Sequence, residues 1–299
     1  MKEIQGHGVA MITPFKRDGA VDFDALPGIV DHLIAGGVDY LVVLGTTAET
    51  ATLSKEEKID LVGRIIDANS GRLPLVLGLG GNHTQELLGM FEWFDLSAFS
   101  ALLSVTPYYN KPNQEGLYQH YKTIATLSSL PVILYNVPSR TGVNIAPETV
   151  LRLAKDFENI VAVKEASGDF QQAQTLIKLC PANFSVLSGD DEMSLPMILA
   201  GAKGVISVIG NALPEHYSKI IHQGLLRNID EAYSIQYQLL DLIRMIYLEG
   251  NPTGIKVLME TLNLCKNNLR LPLVQASKHL TLQLKDELKN VMPVQTIQS

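Results

Sequence analysis

Cysteine and tryptophan are both scarce in this chain, whose 299 residues include two cysteines and one tryptophan. Cys180 and Cys265 lie far apart, so they provide neither a disulfide framework nor a zinc knuckle. Long apolar runs are missing as well, because no stretch approaches the roughly 20 apolar residues of a membrane-spanning helix. These absences argue against a disulfide-stabilised secreted protein and against an integral membrane protein.

Basic residues are outnumbered by acidic ones, and the net charge of −7 argues against nucleic acid or an anionic membrane as the main partner. The first eight residues have no apolar segment after their charges, as a secretory signal would, so we expect a cytoplasmic location. No His-Glu-x-x-His motif occurs, and the glycine pattern at Gly78–Gly81 has His83 where a dinucleotide-binding motif requires its third glycine. We therefore expect neither a metal nor a cofactor.

Eight short apolar runs recur along the chain, and amphipathic helical patterns separate them. Their spacing of about 20 to 35 residues is typical of repeated βα units with parallel strands. Eight such units favour a closed (β/α)8 TIM barrel over an open doubly wound sheet. The predicted strands are Val9–Thr13, Tyr40–Leu44, Leu75–Leu79, Leu102–Val105, Val132–Tyr135, Ile160–Val163, Phe184–Leu187 and Val205–Val208.

Strand patterns stop near residue 225, and three further helical patterns follow. We therefore predict a barrel over residues 1–225 and a small all-helical extension over residues 226–299, docked on the barrel because no Gly/Ser linker separates them. The extension's predicted helices are Asp230–Tyr247, Gly254–Leu262 and Val274–Val291. Helices predicted within the barrel include Phe23–Ala35, Pro147–Lys155 and Lys58–Ala68, the last after a capping box that begins at Ser54.

Lys164 ends the apolar run Ile160–Val163 and is the first candidate for chemistry. An ammonium at the end of a buried strand is costly to desolvate, whereas a neutral amine is a nucleophile that forms Schiff bases with carbonyls. The alternative is that Lys164 only marks the strand end and extends its amine to solvent. Active sites of (β/α)8 barrels lie at the carboxyl ends of the strands, so the other strand ends help to decide between these interpretations.

Polar side chains follow several of the other predicted strands. The segment Gly45–Thr50 offers hydroxyls and backbone N–H groups to a carboxylate, although a plain turn with a helix cap would have the same pattern. Tyr108 and Tyr109 follow strand four, and Arg140 follows strand five, where a guanidinium is suited to clamp a carboxylate. The acids of Asp190–Glu192 after strand seven are better explained by a turn and a helix cap than by a metal site.

These segments together resemble the dihydrodipicolinate synthase family, within the N-acetylneuraminate lyase superfamily of class I pyruvate aldolases. The most specific segment reads Tyr-Asn-Val-Pro-Ser-Arg-Thr-Gly, and all segments occur in the family's order over both halves of the predicted barrel. The matching segments are Gly45–Glu49, Val105–Asn110, Tyr135–Gly142, Lys164–Asp169, Ser188–Asp191 and Gly204–Val208.

The resemblance implies that Lys164 forms a Schiff base with pyruvate. The derived enamine would attack L-aspartate-4-semialdehyde and give 4-hydroxy-tetrahydrodipicolinate, on the route to diaminopimelate and lysine. The resemblance also implies a proton relay of Tyr135, Thr46 and Tyr109, with Tyr109 reaching in from a neighbouring subunit of a homotetramer built as a dimer of dimers. The implied substrate contacts are Thr47 for the pyruvate carboxylate, Arg140 for the semialdehyde carboxylate, and the backbone positions Gly189 and Ile206.

Two departures from the family pattern affect details. Ala48 stands where the family usually has glycine, and a positive φ at that residue would cost about 1 kcal/mol. Lys58 stands where lysine-sensitive relatives commonly carry histidine, and a second ammonium would repel an incoming lysine, so we expect weak or absent feedback inhibition. The resemblance places the corresponding effector cleft at Thr50, Ala51, Lys55, Lys58, Asn82, Glu86 and Tyr108.

Two other functions stay open on the sequence. A sugar-acid lyase, acting on N-acetylneuraminate or a keto-deoxy-gluconate, would share Lys164 and Tyr135, although the paired Thr46 and Thr47 and the arginine Arg140 favour a short carboxylated aldehyde. A non-catalytic barrel scaffold would need none of these residues in register. The three hypotheses differ in whether pyruvate forms a covalent adduct and in which substrate turns over.

Overall fold

The strands form a closed barrel in which each strand is parallel to its two neighbours, as predicted. The structure is a computed structural model that describes residues 4–292. Neighbours follow chain order from β1 to β8, and β8 pairs with β1 to close the sheet. The strands are β1 (Gly6–Ala10), β2 (Tyr40–Val43), β3 (Leu75–Gly78), β4 (Ala101–Val105), β5 (Val132–Asn136), β6 (Ile160–Glu165), β7 (Ser185–Ser188) and β8 (Gly204–Ser207).

In the described part of the chain, helices α1 to α9 surround the barrel, and helices α10 to α12 follow them. No helix in the described part of the chain is long and apolar enough to cross a membrane. We propose that the barrel ends and the extension begins between residues 225 and 226; residues 1–3 and 293–299 of these two predicted units lie outside the described residues. The helices are α1 (Leu26–Ala35), α2 (Lys55–Asn69), α3 (Thr84–Gly89), α4 (Gln114–Leu127), α5 (Pro138–Thr141), α6 (Pro147–Asp156), α7 (Phe170–Leu179), α8 (Ser194–Ala200), α9 (Pro214–Leu225), α10 (Ile229–Met245), α11 (Thr253–Thr261) and α12 (Lys278–Val291).

The strands contribute to two buried clusters because successive side chains point to opposite faces of the sheet. The larger cluster lies between the sheet and the helices and continues into the extension. The smaller cluster fills the barrel interior and includes Tyr40, Val42, Leu103, Ile133, Tyr135, Leu187 and Ile206. The barrel is therefore a packed core, and polar chemistry is confined to its rim.

The first strand lies three residues earlier than predicted, at Gly6–Ala10 in place of Val9–Thr13. The prediction followed apolar residues, but the barrel interior beside this strand is filled by a neighbour's side chain. A Cβ on Gly8 would lie 2.1 Å from Cε2 of Tyr40, so only glycine fits there. The strand therefore includes two glycines, Gly6 and Gly8, which have no apolar side chain to signal it. Met11, which the prediction included, lies just after the end of the strand.

Capping residues and other local signals in the sequence predicted most helix ends correctly. Ser54 accepts a hydrogen bond from the Glu57 N–H, and Glu57 accepts one from the Ser54 N–H, which confirms the capping box before α2. The start of α12 is later than predicted, at Lys278 instead of Val274. The reason is that the Ser277 hydroxyl accepts the N–H of Leu280 and caps the helix at that point.

Two buried histidines tie strands and helices together. His7 on β1 lies between the hydroxyls of Ser207 and Ser218, at 2.7 and 2.8 Å, and burial lowers its pKa to about 3. His120 on α4 contacts the Thr84 hydroxyl at 2.9 Å, and burial lowers its pKa to about 4. Both imidazoles are therefore neutral in the folded protein at neutral pH, and both resist protonation at pH values where the unfolded chain accepts a proton.

Folding should weaken as the pH falls from about 6.5 towards 4, because unfolded His120 binds a proton that folded His120 does not. His120 alone should account for about 3 kcal/mol of this loss by pH 4. The variant His120→Gln should therefore flatten the dependence of the unfolding free energy on pH, measured by urea titration between pH 4 and 8. The exposed His279 provides the control, since His279→Gln should keep the wild-type slope. Parallel curves for wild type and His120→Gln would contradict this assignment.

Candidate active site

Lys164 and Tyr135 face each other in the mouth of the barrel. They are paired in the register of β5 and β6, and both side chains point into the interior. The Lys164 Nζ lies 4.4 Å from the centroid of the Tyr135 ring, and the lysine is 5% exposed. Lys164 forms no ion pair with any carboxylate in residues 4–292, so its amine stays available to a ligand.

A polar network on the outer face of the sheet holds the ends of β5 and β6 in register. The buried carboxylate of Glu165 accepts hydrogen bonds from the side-chain amides of Asn136 and Gln172 and from the N–H of Ser167. Asn136 and Glu165 directly follow Tyr135 and Lys164, respectively. The network therefore fixes the backbone from which the two inward side chains project.

Gly189 lies beside the Lys164 side chain, and Ile206 lies in the barrel interior on β8. Gly189 follows β7, and its N–H donates to the Glu165 carbonyl. A Cβ at this position would lie 2.8 Å from Cε of Lys164, so glycine leaves room for the lysine side chain. Ile206 on β8 is fully buried in the interior cluster. Both predicted positions therefore belong to the same end of the barrel as Lys164.

Thr46 and Thr47 lie on a short 3₁₀ turn, Thr46–Ala48, that is separated by two residues from the end of β2. The Thr46 side chain is exposed at the rim, whereas Thr47 is buried. Ala48 causes no strain, contrary to the concern raised by its substitution for glycine, because it is not one of the residues of this loop with a positive φ. Those residues are Leu44 and Glu49, with φ of 58° and 53°.

The extension contributes contacts to this turn that the sequence did not reveal. The side-chain amide of Asn251 donates to the Thr47 hydroxyl at 3.0 Å. Lys256 on α11 donates to the carboxylate of Glu49, and both side chains are buried. Both contacts join residues more than 200 positions apart, so no local pattern could have predicted them.

Arg140 and Thr46 line a cleft of about 600 Å³ that opens above the strand ends. Arg140 is exposed on α5, a single helical turn that begins with Pro138 directly after β5. The walls of the cleft include residues from the loops that follow β2, β3, β4 and β5. A ligand in this cleft would therefore meet a guanidinium and a hydroxyl group at one rim of the barrel.

Six of the seven predicted effector residues line the same cleft: Thr50, Ala51, Lys58, Asn82, Glu86 and Tyr108. Burial lowers the pKa of Lys58 from its ordinary value. The seventh, Lys55, does not line the cleft; its ammonium lies 5.1 Å from the centroid of the Trp93 ring, at the protein surface. The predicted effector residues therefore lie together in one cleft, except for Lys55.

Tyr109 extends away from the chain. It is 89% exposed and has a φ of 71°. The loop that carries it is fixed, because Asn82 donates to the Tyr108 carbonyl and Asn110 donates to the Asn82 carbonyl. Within one chain, the structure does not bring the Tyr109 phenol into the buried mouth that holds Lys164.

The acids after β7 have different roles from one another. Asp190 accepts the N–H groups of Glu192 and Met193, as in the predicted turn, whereas Asp191 does not cap a helix. Its buried carboxylate instead accepts the N–H groups of Val208 and Ile209 after β8. Burial raises the pKa of Asp191 to about 6. The residue therefore links the ends of β7 and β8.

No group of three His, Cys, Asp or Glu side chains suited to a metal ion occurs among residues 4–292. The candidate groups form two sets: the amine of Lys164 lies beside the phenol of Tyr135, and the hydroxyl of Thr46 and the guanidinium of Arg140 line the cleft. An amine in a packed mouth can form a carbinolamine and then a Schiff base with a keto acid. A phenol and a hydroxyl can transfer protons, and a guanidinium can hold a carboxylate.

Known proteins resemble this chain along almost its whole length. The dihydrodipicolinate synthetase family model matches residues 3–291. The 4-hydroxy-tetrahydrodipicolinate synthase of Flavobacterium psychrophilum is 56% identical over 281 residues, which are 94% of this chain and 96% of that relative. The crystal structure of dihydrodipicolinate synthase from Aquifex aeolicus matches with a TM-score of 0.92 and 40% identity, covering 96% of this chain and 97% of that one.

A monomeric dihydrodipicolinate synthase variant also matches, with a TM-score of 0.93, 37% identity and 96% of each chain covered. These matches confirm the resemblance that was based on the strand-end segments. Because sequence and fold agree from the first strand to the last helix, this chain belongs to the dihydrodipicolinate synthetase family.

Proposed function

We propose that the protein condenses pyruvate with L-aspartate-4-semialdehyde to 4-hydroxy-tetrahydrodipicolinate, as a lyase of the class I aldolase type in lysine and diaminopimelate biosynthesis. The relatives' names support the reaction, and the Lys164 amine beside Tyr135 is the observation that carries it. The cytoplasmic location expected from the sequence stays a prediction.

The first half-reaction activates pyruvate on Lys164. The amine attacks the keto carbon, water leaves, and a C=N bond joins Lys164 to pyruvate. The buried Thr47 hydroxyl would donate to the pyruvate carboxylate, because Asn251 already donates to its oxygen and leaves its hydrogen free. Loss of a proton from the methyl carbon gives the enamine. The backbones of Gly189 and Ile206 would line the same space.

The second half-reaction forms the new carbon–carbon bond. The enamine carbon attacks the aldehyde carbon of the semialdehyde, whose carboxylate would be held by the exposed guanidinium of Arg140. The semialdehyde amine then attacks the C=N carbon and displaces Lys164, which closes the ring. Tyr135, Thr46 and Tyr109 would carry the protons of these steps.

We further propose that the active form is a homotetramer, a dimer of dimers in which Tyr109 completes the neighbouring subunit's site. The exposed phenol and the fixed loop that presents it support this assembly. A tyrosine in the left-handed region costs about 1 kcal/mol, and a contact with a second subunit would offset that cost.

Covalent trapping tests the use of Lys164. Incubation with pyruvate and borohydride should add one reduced pyruvyl group per chain, because borohydride reduces a Schiff base to a stable secondary amine. Mass spectrometry should find the adduct on Lys164, and Lys164→Met should abolish it. The exposed Lys203 at the opposite end of the barrel provides the control, and Lys203→Met should be labelled like wild type. An unlabelled wild type, or labelling of Lys164→Met, would exclude the aldolase mechanism.

A mixing experiment tests the position of Tyr109. Tyr109→Phe should lower turnover by about 100-fold, since a general acid–base group is lost. When Tyr109→Phe and Lys164→Met are unfolded and refolded together, hybrid dimers should regain activity, because one site then has both Lys164 and the partner's phenol. Refolded alone, Lys164→Met should stay inactive and Tyr109→Phe should keep only its lowered turnover. A mixture as inactive as its components would contradict the assignment of Tyr109 to the neighbouring site.

Lysine inhibition tests the cleft. L-Lysine should inhibit the wild type weakly, with an inhibition constant above the sub-millimolar range, because the ammonium of Lys58 repels the ligand's ammonium. Lys58→His should strengthen inhibition at pH 8. Lys55→His should leave it unchanged, since Lys55 lies outside the cleft. Sub-millimolar inhibition of the wild type, or equal responses of the two variants, would contradict this interpretation.

A further inference from the structure

An ion pair between the extension and the loop after β2 is among the most deeply buried polar contacts of the chain. The Nζ of Lys256 on α11 lies 2.5 Å from Oε1 of Glu49, and the two side chains are 0% and 1% exposed. Glu49 directly follows the turn that carries Thr46 and Thr47. The pair therefore connects the C-terminal extension to the part of the loop nearest the proposed chemistry.

Every atom of the pair that needs a partner has one. Lys256 also donates to the Asn268 carbonyl at 2.8 Å, and its ammonium lies 4.4 Å from the centroid of the Phe15 ring. The second carboxylate oxygen of Glu49 accepts the N–H of Arg270 at 3.1 Å. The arrangement is thus fully hydrogen-bonded, as a buried ion pair must be to persist.

Stability alone is a weak explanation for the pair. Removing two charges from water is costly, and an apolar pair of similar volume is often equally stable in such a position. An apolar pair would, however, leave only backbone hydrogen bonds and the Thr52 hydroxyl to hold Glu49 in its left-handed conformation, which a non-glycine residue adopts at a cost of about 1 kcal/mol. Unlike apolar packing, the hydrogen bonds of the ion pair fix the orientation of the Glu49 side chain.

The conformation of Glu49 is coupled to the turn through the backbone. Its N–H donates to the Thr46 carbonyl at 3.1 Å, and the preceding Ala48 N–H donates to the Gly45 carbonyl at 3.1 Å. Ala48 is also held from the other side, because the Thr13 hydroxyl donates to its carbonyl at 2.7 Å. A shift of the Glu49 side chain would therefore move both threonines.

We propose that the Glu49–Lys256 pair positions the Thr46–Thr47 turn, so that the helical extension is a working part of the active site. Neither residue touches substrate; both are positioning residues for the pyruvate end of the reaction. The inference rests on the proposed function. The proposal predicts different effects on the binding of the two substrates. Arg140, which would bind the semialdehyde, lies on α5 after β5 and is not part of this turn.

The double variant Glu49→Gln/Lys256→Met tests the proposal, since it removes both charges while keeping the side-chain volumes similar. The value of kcat/KM for pyruvate should fall by roughly 10- to 100-fold, because a misplacement of about 1 Å has effects of this size. The KM for the semialdehyde should stay at the wild-type value. The control is Asp286→Asn/Lys289→Met, which makes the same kind of change to an exposed ion pair on α12 and should keep wild-type kinetics for both substrates.

Hydrogen exchange gives a readout that needs no turnover. The amides of Ala48 and Glu49 should exchange faster in the Glu49→Gln/Lys256→Met variant than in wild type and in the control. If this variant does not fold, Glu49→Asp serves instead; it keeps both charges, shortens the connection by one methylene, and should raise the KM for pyruvate and exchange at the same two amides.

The outcomes separate the two hypotheses. Unchanged exchange at these amides, or wild-type kinetics for pyruvate, would overturn the positioning role. A wild type that fails to form a borohydride-reducible pyruvate adduct would instead overturn the proposed function, while faster exchange at Ala48 and Glu49 would still support the mechanical link between the pair and the turn.

Discussion

Closure of the parallel sheet is the constraint on which the rest of the molecule depends. Since β8 pairs with β1, all eight strands end at a common rim, and loops far apart in the chain become neighbours there. The interior side chains fill the barrel below this rim. Lys164 and Tyr135 are in the last interior positions of the adjacent strands β6 and β5, so an amine and a phenol lie beside each other at this end of the barrel.

The barrel alone does not fix the whole rim. The end of β6 is held by the amides around Glu165, whereas the turn after β2 is held from outside the barrel, by Asn251 and Lys256 of the extension. One half of the candidate site is thus determined by strand register and the other half by docking of helices. This division is the basis of the proposal that the helical extension affects chemistry to which it contributes no reacting group.

Much of the fold followed from the sequence, because apolar runs at regular spacing and local capping signals identify buried strands and helix ends. The errors have physical causes. The prediction missed Gly6 and Gly8 in the first strand because the Tyr40 ring occupies the space beside Gly8. Candidate site residues were found through family segments, whereas the contacts of Asn251 and Lys256 were missed since they depend on tertiary packing over more than 200 residues.

The most direct test of the account is a coupled assay that compares substrates for the purified protein. It measures kcat/KM for condensation of pyruvate with L-aspartate-4-semialdehyde and, under the same conditions, for cleavage of N-acetylneuraminate and keto-deoxy-gluconate. Condensation should be the faster reaction by a wide margin, because Arg140 and the paired threonines suit a short carboxylated aldehyde. Faster cleavage of a sugar acid would contradict it.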